Sequence, residues 1–365
     1  GTVEMIVRRP AVDEREALDV GEPGRVAVAL AMEAAFVAML GDTTTRRVDM
    51  LLKRSREISD RYETPESGVY RALVGGLAAF ASGRWKECVA SMGVARERLD
   101  RGRARRNFEF TLRELFELAA LYQLGRVTEL RARRLEYVHD ARERGDLCAE
   151  TSLRAGDAAV IWLAADDPQG ARQDIHEAVR RWPRDAFLAQ RAWAFLAERA
   201  IDVYEGDGEY AWRRVEETWP RVRSSLLFVG QHVRVMSRFW RANAALLSAA
   251  DPSRRAARLA IASRHARQLA GERVPHATAL AALLRGGIAA ARGDVERAAL
   301  AHKEAARGFE DTDMALLAAA TRYRLGKLLG GARGRANVAA AVRYMDEEGI
   351  ENPARMAAMY APIWR

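Results

Sequence analysis

A turn-like break returns along this chain roughly every 42 residues, and no other feature constrains the fold as strongly. The breaks fall at Gly41, Gly83, Gly125, Asp167, Gly206, Asp251, Gly293 and near Gly334. The stretches between them are helical in character, with hardly any β-branched alternation. A fixed period holding two helices describes an α-solenoid, in which each unit buries its apolar face against its neighbours alone. The expected fold is therefore all-α: a solenoid of about eight antiparallel helix pairs curved around an open trough. Growth in one dimension also lets a chain of 365 residues escape the size limit of a single core.

The pairs are expected at 25–40 with 43–61, 66–82 with 84–100, 106–124 with 126–144, and 147–165 with 168–181. They continue at 185–205 with 208–222, 228–249 with 252–270, 275–291 with 294–309, and 313–329 with 335–348. Residues 1–24 read as an irregular linker or upstream remnant. Residues 25–348 form the repeat domain, and 349–365 a capping helix and tail, with Asn352 as its cap and Pro353 at its first position. Pro65, Pro168, Pro183, Pro220, Pro252, Pro275 and Pro353 stand near expected helix ends, where a missing N–H costs little.

The chain is 49% hydrophobic and 30% charged, a composition that excludes wholesale disorder. Its net charge of +9 invites a nucleic-acid reading. Fifty acidic residues are interspersed with the bases, however, and only four of the 59 basic residues are Lys. That balance is the expected look of a helical surface laced with ion pairs, so nucleic acid is not the expected partner. Cys88 and Cys148 are too far apart for a metal or disulfide framework. The most apolar stretch, Val26 to Leu40, is too short to span a membrane and carries Glu33. A cytoplasmic protein with no cofactor is expected.

No catalytic constellation is evident. The six His residues are scattered without HExxH spacing, and no phosphate-binding G-x-x-x-x-G-K-[ST] run occurs. Gly330-Gly331-Ala332-Arg333-Gly334 reads as a loose turn before a helix rather than an anion cradle, and Asp167 before Pro168 as an N-cap.

In several units a small residue recurs late in the first helix, then at two fixed places in the second. The sets are Gly76, Cys88, Ala95; Ala159, Ala171, Ala178; Ala244, Ala256, Ser263; and Gly286, Ala298, Ala305. With Gly83, Gly293 and Trp85, this spacing resembles the tetratricopeptide repeat, although the period exceeds that family's usual one. The resemblance implies that the first helices line the concave face. It places there Tyr70, Leu73 and Leu77; Leu153, Gly156 and Val160; Leu280, Leu283 and Gly287. In the sixth unit the stripe becomes Gln231, Arg234, Arg238 and Arg241 at helical spacing, a row able to grip carboxylates or phosphates. The competing expectation for this row is ion pairing with Asp202, Glu205 or Glu209. Trp182, Trp193, Trp212, Trp219 and Trp240 crowd the middle of the chain as inter-unit core, and Trp193 and Trp240 are candidates for flooring the same groove.

The run Met345-Asp346-Glu347-Glu348-Gly349-Ile350-Glu351-Asn352-Pro353-Ala354-Arg355-Met356, followed by Met359 and Ala361-Pro362, resembles the closing segment of large bacterial signalling proteins, notably myxobacterial ones. Those proteins resemble a Ser/Thr protein kinase joined to a signal-transduction ATPase and a long repeat region. The resemblance implies a non-catalytic recognition and regulatory module whose partner is a protein or peptide, acidic or phosphorylated, with homo-oligomers allowed. The alternative is the inducer-sensing repeat region of a transcription regulator, which calls for an enclosed pocket rather than an open groove.

Overall fold

The computed structural model describes residues 23–41, 45–61, 65–101, 107–181 and 189–362. Trp182, Pro183, almost all of the expected linker and the last three residues lie outside this set. The described residues form helices with no strand. They run α1 (Pro23–Met39), α2 (Thr45–Arg61), α3 (Pro65–Ala81), α4 (Trp85–Arg101), α5 (Asn107–Leu124) and α6 (Val127–Glu143). The fourth first helix is broken into α7 (Leu147–Ala155), a 3-10 turn (Asp157–Ala159) and α8 (Val160–Ala164), and is followed by α9 (Pro168–Val179). Next come α10 (Ala189–Glu205), α11 (Gly208–Ser224), α12 (Gln231–Ser248), α13 (Pro252–Ala270), α14 (Pro275–Ala291) and α15 (Val295–Asp311). The chain closes with α16 (Ala315–Leu329), α17 (Gly331–Glu347) and α18 (Pro353–Tyr360). Consecutive helices pack pairwise, as an all-α solenoid requires. None of the described helices is long and apolar enough to cross a membrane.

Local signals set these bounds. Asp146, Asp167, Asp207, Asp251, Asp294 and Asn352 each accept a backbone N–H in the first turn of the following helix. First helices are apolar nearly all round, as in α14, where Leu280, Leu283 and Leu284 are all buried. Second helices bury a single stripe, such as Ala298, Ala305 and Phe309 of α15. Small residues at the crossings permit close approach: a Cβ on Gly286 would stand 2.6 Å from the His302 ring, and one on Gly76 would stand 2.6 Å from Met92 Cε.

Two expectations need correction here. In the sixth unit Ala256 is exposed, and Leu259, Ala262 and Ala266 make the contact instead. The run Gly330–Gly334 is not a loose turn either, because α17 begins at Gly331. Gly334 is needed inside that helix, where its added Cβ would lie 2.4 Å from Gly326 O of α16.

The curvature is tighter than an open trough. The turn of each of the first four units abuts the start of the first helix five units later. A Cβ on Gly41 would meet the Gln231 side chain at 2.8 Å, one on Gly83 would meet His276 Nδ1 at 2.9 Å, and one on Gly125 would meet Leu316 N at 2.5 Å. Asn352 Nδ2 donates to Asp166 Oδ2 at 3.0 Å at the fourth such contact. The solenoid thus winds into two stacked turns, with the C-terminal ends of the lower first helices facing the N-terminal ends of the upper ones, an arrangement in which opposite dipole ends meet. Polar clasps cross the seam: Lys86 Nζ to Asp313 Oδ1 at 2.6 Å, Thr128 N to Glu348 Oε2 at 3.0 Å, and Tyr344 Oη to Gly125 O at 2.8 Å.

The closing segment locks the second turn onto the first. Glu351 N donates to Ala164 O, and Arg355 donates to Asp166 and to Tyr204 O while its guanidinium lies over the Tyr204 ring. Met356, Ala357, Met359 and Tyr360 of α18 are fully buried, and Asn243 Nδ2 donates to Tyr360 O at 3.0 Å. Large side chains of this kind stabilise by about 1.5–3 kcal/mol each when fully buried. The residues that carry the signalling-protein resemblance are therefore the ones that hold the coil shut.

Candidate functional site: an axial chamber around Asp157

First helices line the inner face, but the stacked turns close that face. Leu73, Leu77, Leu153, Leu280 and Leu283 are all buried. Tyr70 is half-buried and donates its hydroxyl hydrogen to Glu109. No continuous open trough runs along these positions, because the neighbouring turn and α18 occupy it.

The arginine row is engaged inside the protein. Arg234 donates from Nε and Nη2 to the two oxygens of Glu272, each at 2.7 Å, and Arg238 also donates to Glu272. Gln231 Nε2 donates to Glu272 O at 2.8 Å. Burial alone would raise the Glu272 carboxyl, but the Arg234 hydrogen bonds and charge, with help from Gln231 and Arg238, carry it below its ordinary value. Arg241 grips Glu216 from Nε at 3.0 Å and Nη2 at 2.6 Å, and stacks over Trp219 with its carbon 4.6 Å from the ring centroid. Ion pairing therefore holds the row, with Glu272 and Glu216 as partners in place of Asp202, Glu205 and Glu209. Asp202 and Glu205 instead pair with Arg172, and Glu209 with Arg254.

Two surface hollows are larger. One of about 500 Å³ is bordered by Arg142, Glu150, Arg154 and Glu177, which pair with one another. Another, of about 430 Å³, runs along the seam over an alanine floor, and its rim carries the Lys86–Asp313 and Arg322–Glu310 pairs.

The interior differs. A cavity of about 70 Å³ on the coil axis is walled by Phe80, Leu115, Phe116, Leu153 and Trp193, with Asp157 and His232 as its charged or titratable groups. A smaller one of about 10 Å³ adjoins it, walled by Tyr122, Leu196, Trp240 and Met359, and Asp157 borders both. The break in the fourth first helix creates this geometry. At Gly156 the backbone turns extended, with φ −97° and ψ −157°, and the chain restarts as a 3-10 turn at Asp157. A mid-helix interruption of this kind re-aims side chains that an unbroken helix would direct elsewhere.

Among the predicted residues, Leu153, Gly156 and Trp193 thus line the first cavity, and Val160 and Trp240 the second. Leu280 and Tyr70 are buried or half-buried away from both, and Gln231, Arg234, Arg238 and Arg241 face acids. Asp157 and His232 were not singled out from the sequence. The available signal was a Gly-Asp pair placed between Leu153 and Val160, where an apolar inner face should have continued. Comparison with protein-family models, with characterised proteins and with solved structures finds no match to this chain.

Proposed function

We propose that this chain is a non-catalytic sensory and regulatory module of a larger cytoplasmic bacterial signalling protein, responding to a small molecule in its axial chamber. The observation that carries this reading is the convergence: first helices of five successive units and the closing helix meet at two adjoining hollows around the half-buried Asp157 carboxylate. The repeat architecture and the closing segment's resemblance supply the signalling context, in which a kinase–ATPase or a DNA-binding module would be the attached effector. A peptide laid along an inner groove is disfavoured because the chain itself fills that groove.

The chamber touches units on both turns, so a ligand with different affinity for tight and loosened coils shifts their balance. At a hundred times its dissociation constant it stabilises the bound form by about 2.7 kcal/mol. Ala119 is half-buried at the cavity wall, and a larger side chain there fills the space. A thermal-shift screen of low-molecular-weight compounds is expected to find one chemical class that raises Tm in the natural chain and not in Ala119→Leu. Stabilisation undiminished by Ala119→Leu, or none from any compound, contradicts the reading.

A further inference from the structure

We infer that the axial chamber is a binding site for a compact organic cation, a protonated primary or secondary amine, with Asp157 as its counter-ion. This rests on the ligand-sensing reading and names the ligand's class. The Asp157 side chain is 10% exposed, and no described group donates a hydrogen bond to its carboxylate. His232 Nε2 stands 3.9 Å away, beyond hydrogen-bond reach, and is itself buried without a partner. Other buried acids in the coil are treated differently: Glu117 has Arg113, Asp202 has Arg172 and Arg199, and Glu272 has Arg234 and Arg238. Asp157, half-buried, has no arginine of this kind among the described residues, so its charge is free to hold an incoming cation.

The walls indicate what supplies them. Phe80, Phe116 and Trp193 present aromatic rings to the same space, and aromatic faces attract a cation as well as excluding water. One ammonium nitrogen placed between Asp157 and His232 Nε2 can donate an N–H to each, while its carbon substituents meet the rings. A cavity of about 70 Å³ takes an amine of a few carbons and not an arginine-sized group. Phe116, Trp193 and Gly156 are only half-buried, which places the mouth on their side.

The test uses the full chain, methylammonium and dimethylammonium as probes, tert-butanol as the neutral control, and sodium chloride to hold ionic strength. Calorimetric titration is expected to show binding of the ammonium ions and at least tenfold weaker binding in Asp157→Asn. Without ligand, Asp157→Asn is expected to keep or raise Tm, because it removes a carboxylate that no described arginine pairs while preserving shape. A lowered Tm would make Asp157 a structural partner of His232 and overturn the proposal, as would ammonium binding that Asp157→Asn leaves unchanged. If tert-butanol binds as well as the ammonium ions and Ala119→Leu blocks it, the cation assignment falls and the sensing reading stands. If none of the probes binds the natural chain, the cation assignment falls too, and the compound screen decides the sensing reading separately.

Discussion

Gly125→Ala is expected to destabilise the chain by about 3–5 kcal/mol, against about 1–2 kcal/mol for Gly293→Ala. The two glycines occupy equivalent turns with φ of 77° and 79°, so the penalty for placing an L-residue in the left-handed region is shared. Their surroundings differ. A Cβ on Gly125 would lie 2.5 Å from Leu316 N, 2.7 Å from Leu316 Cβ and 2.9 Å from Tyr344 Oη, whereas one on Gly293 meets nothing within 4 Å. Leu316 N belongs to the backbone and cannot swing away. The alanine must push the turns apart or break the Tyr344 bond to Gly125 O. Urea denaturation of both variants measures the difference, and equal losses would mean that the seam carries no load.

That contrast also shows how far the sequence can be read. Helix pairs were legible because their determinants are local: Asp caps such as Asp207 and Asp294, αL glycines such as Gly83, and apolar periodicity. Superhelical pitch is not local. It accumulates from small rotations between units, so the contact of Gly125 with Leu316 leaves no mark near either residue. The arginine row was visible at helical spacing, but its partner Glu272 lies 34 residues beyond Arg238 in the turn after α13, where no periodic rule points. Gly334 misled because glycine serves loops and close helix crossings alike. Asp157 was overlooked because its importance comes from its place beside the hollow without an arginine partner, and partners are a property of the fold.

Acid is the second large lever. Three buried histidines are held neutral: burial and then the Arg241 charge depress His265 to about 4, burial and then His232 depress His276 to about 3, and burial and then Arg324 depress His302 to about 4. The unfolded rings titrate near the ordinary 6.5, so the unfolded chain takes up these protons first. Their contribution is complete above that value and is lost as pH falls toward the folded values, by about 2 kcal/mol per ring at pH 5. Glu114 works in the other direction. Burial raises it to about 7 against the pull of Arg113 and Arg144, so its contribution is present at acid pH and lost as pH rises through about 7. Three rings outweigh one carboxyl, and the net loss from pH 7.5 to 5 is expected at roughly 3–4 kcal/mol. His276 packs against Trp85 across the seam, with ring centroids 5.2 Å apart, so acid strain falls on the stacking of the turns. His276→Phe is expected to fold and to remove roughly a third of the histidine slope in a pH series of urea midpoints. An unchanged slope would contradict the assignment of that ring.

The stacking of two turns is the claim on which the chamber, the seam glycine and the acid response all depend. A dipolar distance between spin labels tests it directly, with Cys88 and Cys148 replaced by Ala and labels on cysteines at Lys86 and Asp313. These positions pair across the seam with side chains 59% and 45% exposed, so labelling leaves the core intact. A closed coil predicts one short population within about 20 Å, because Lys86 Nζ and Asp313 Oδ1 stand 2.6 Å apart. An open solenoid, with five units of packed helices between the labels, would instead give distances beyond about 40 Å.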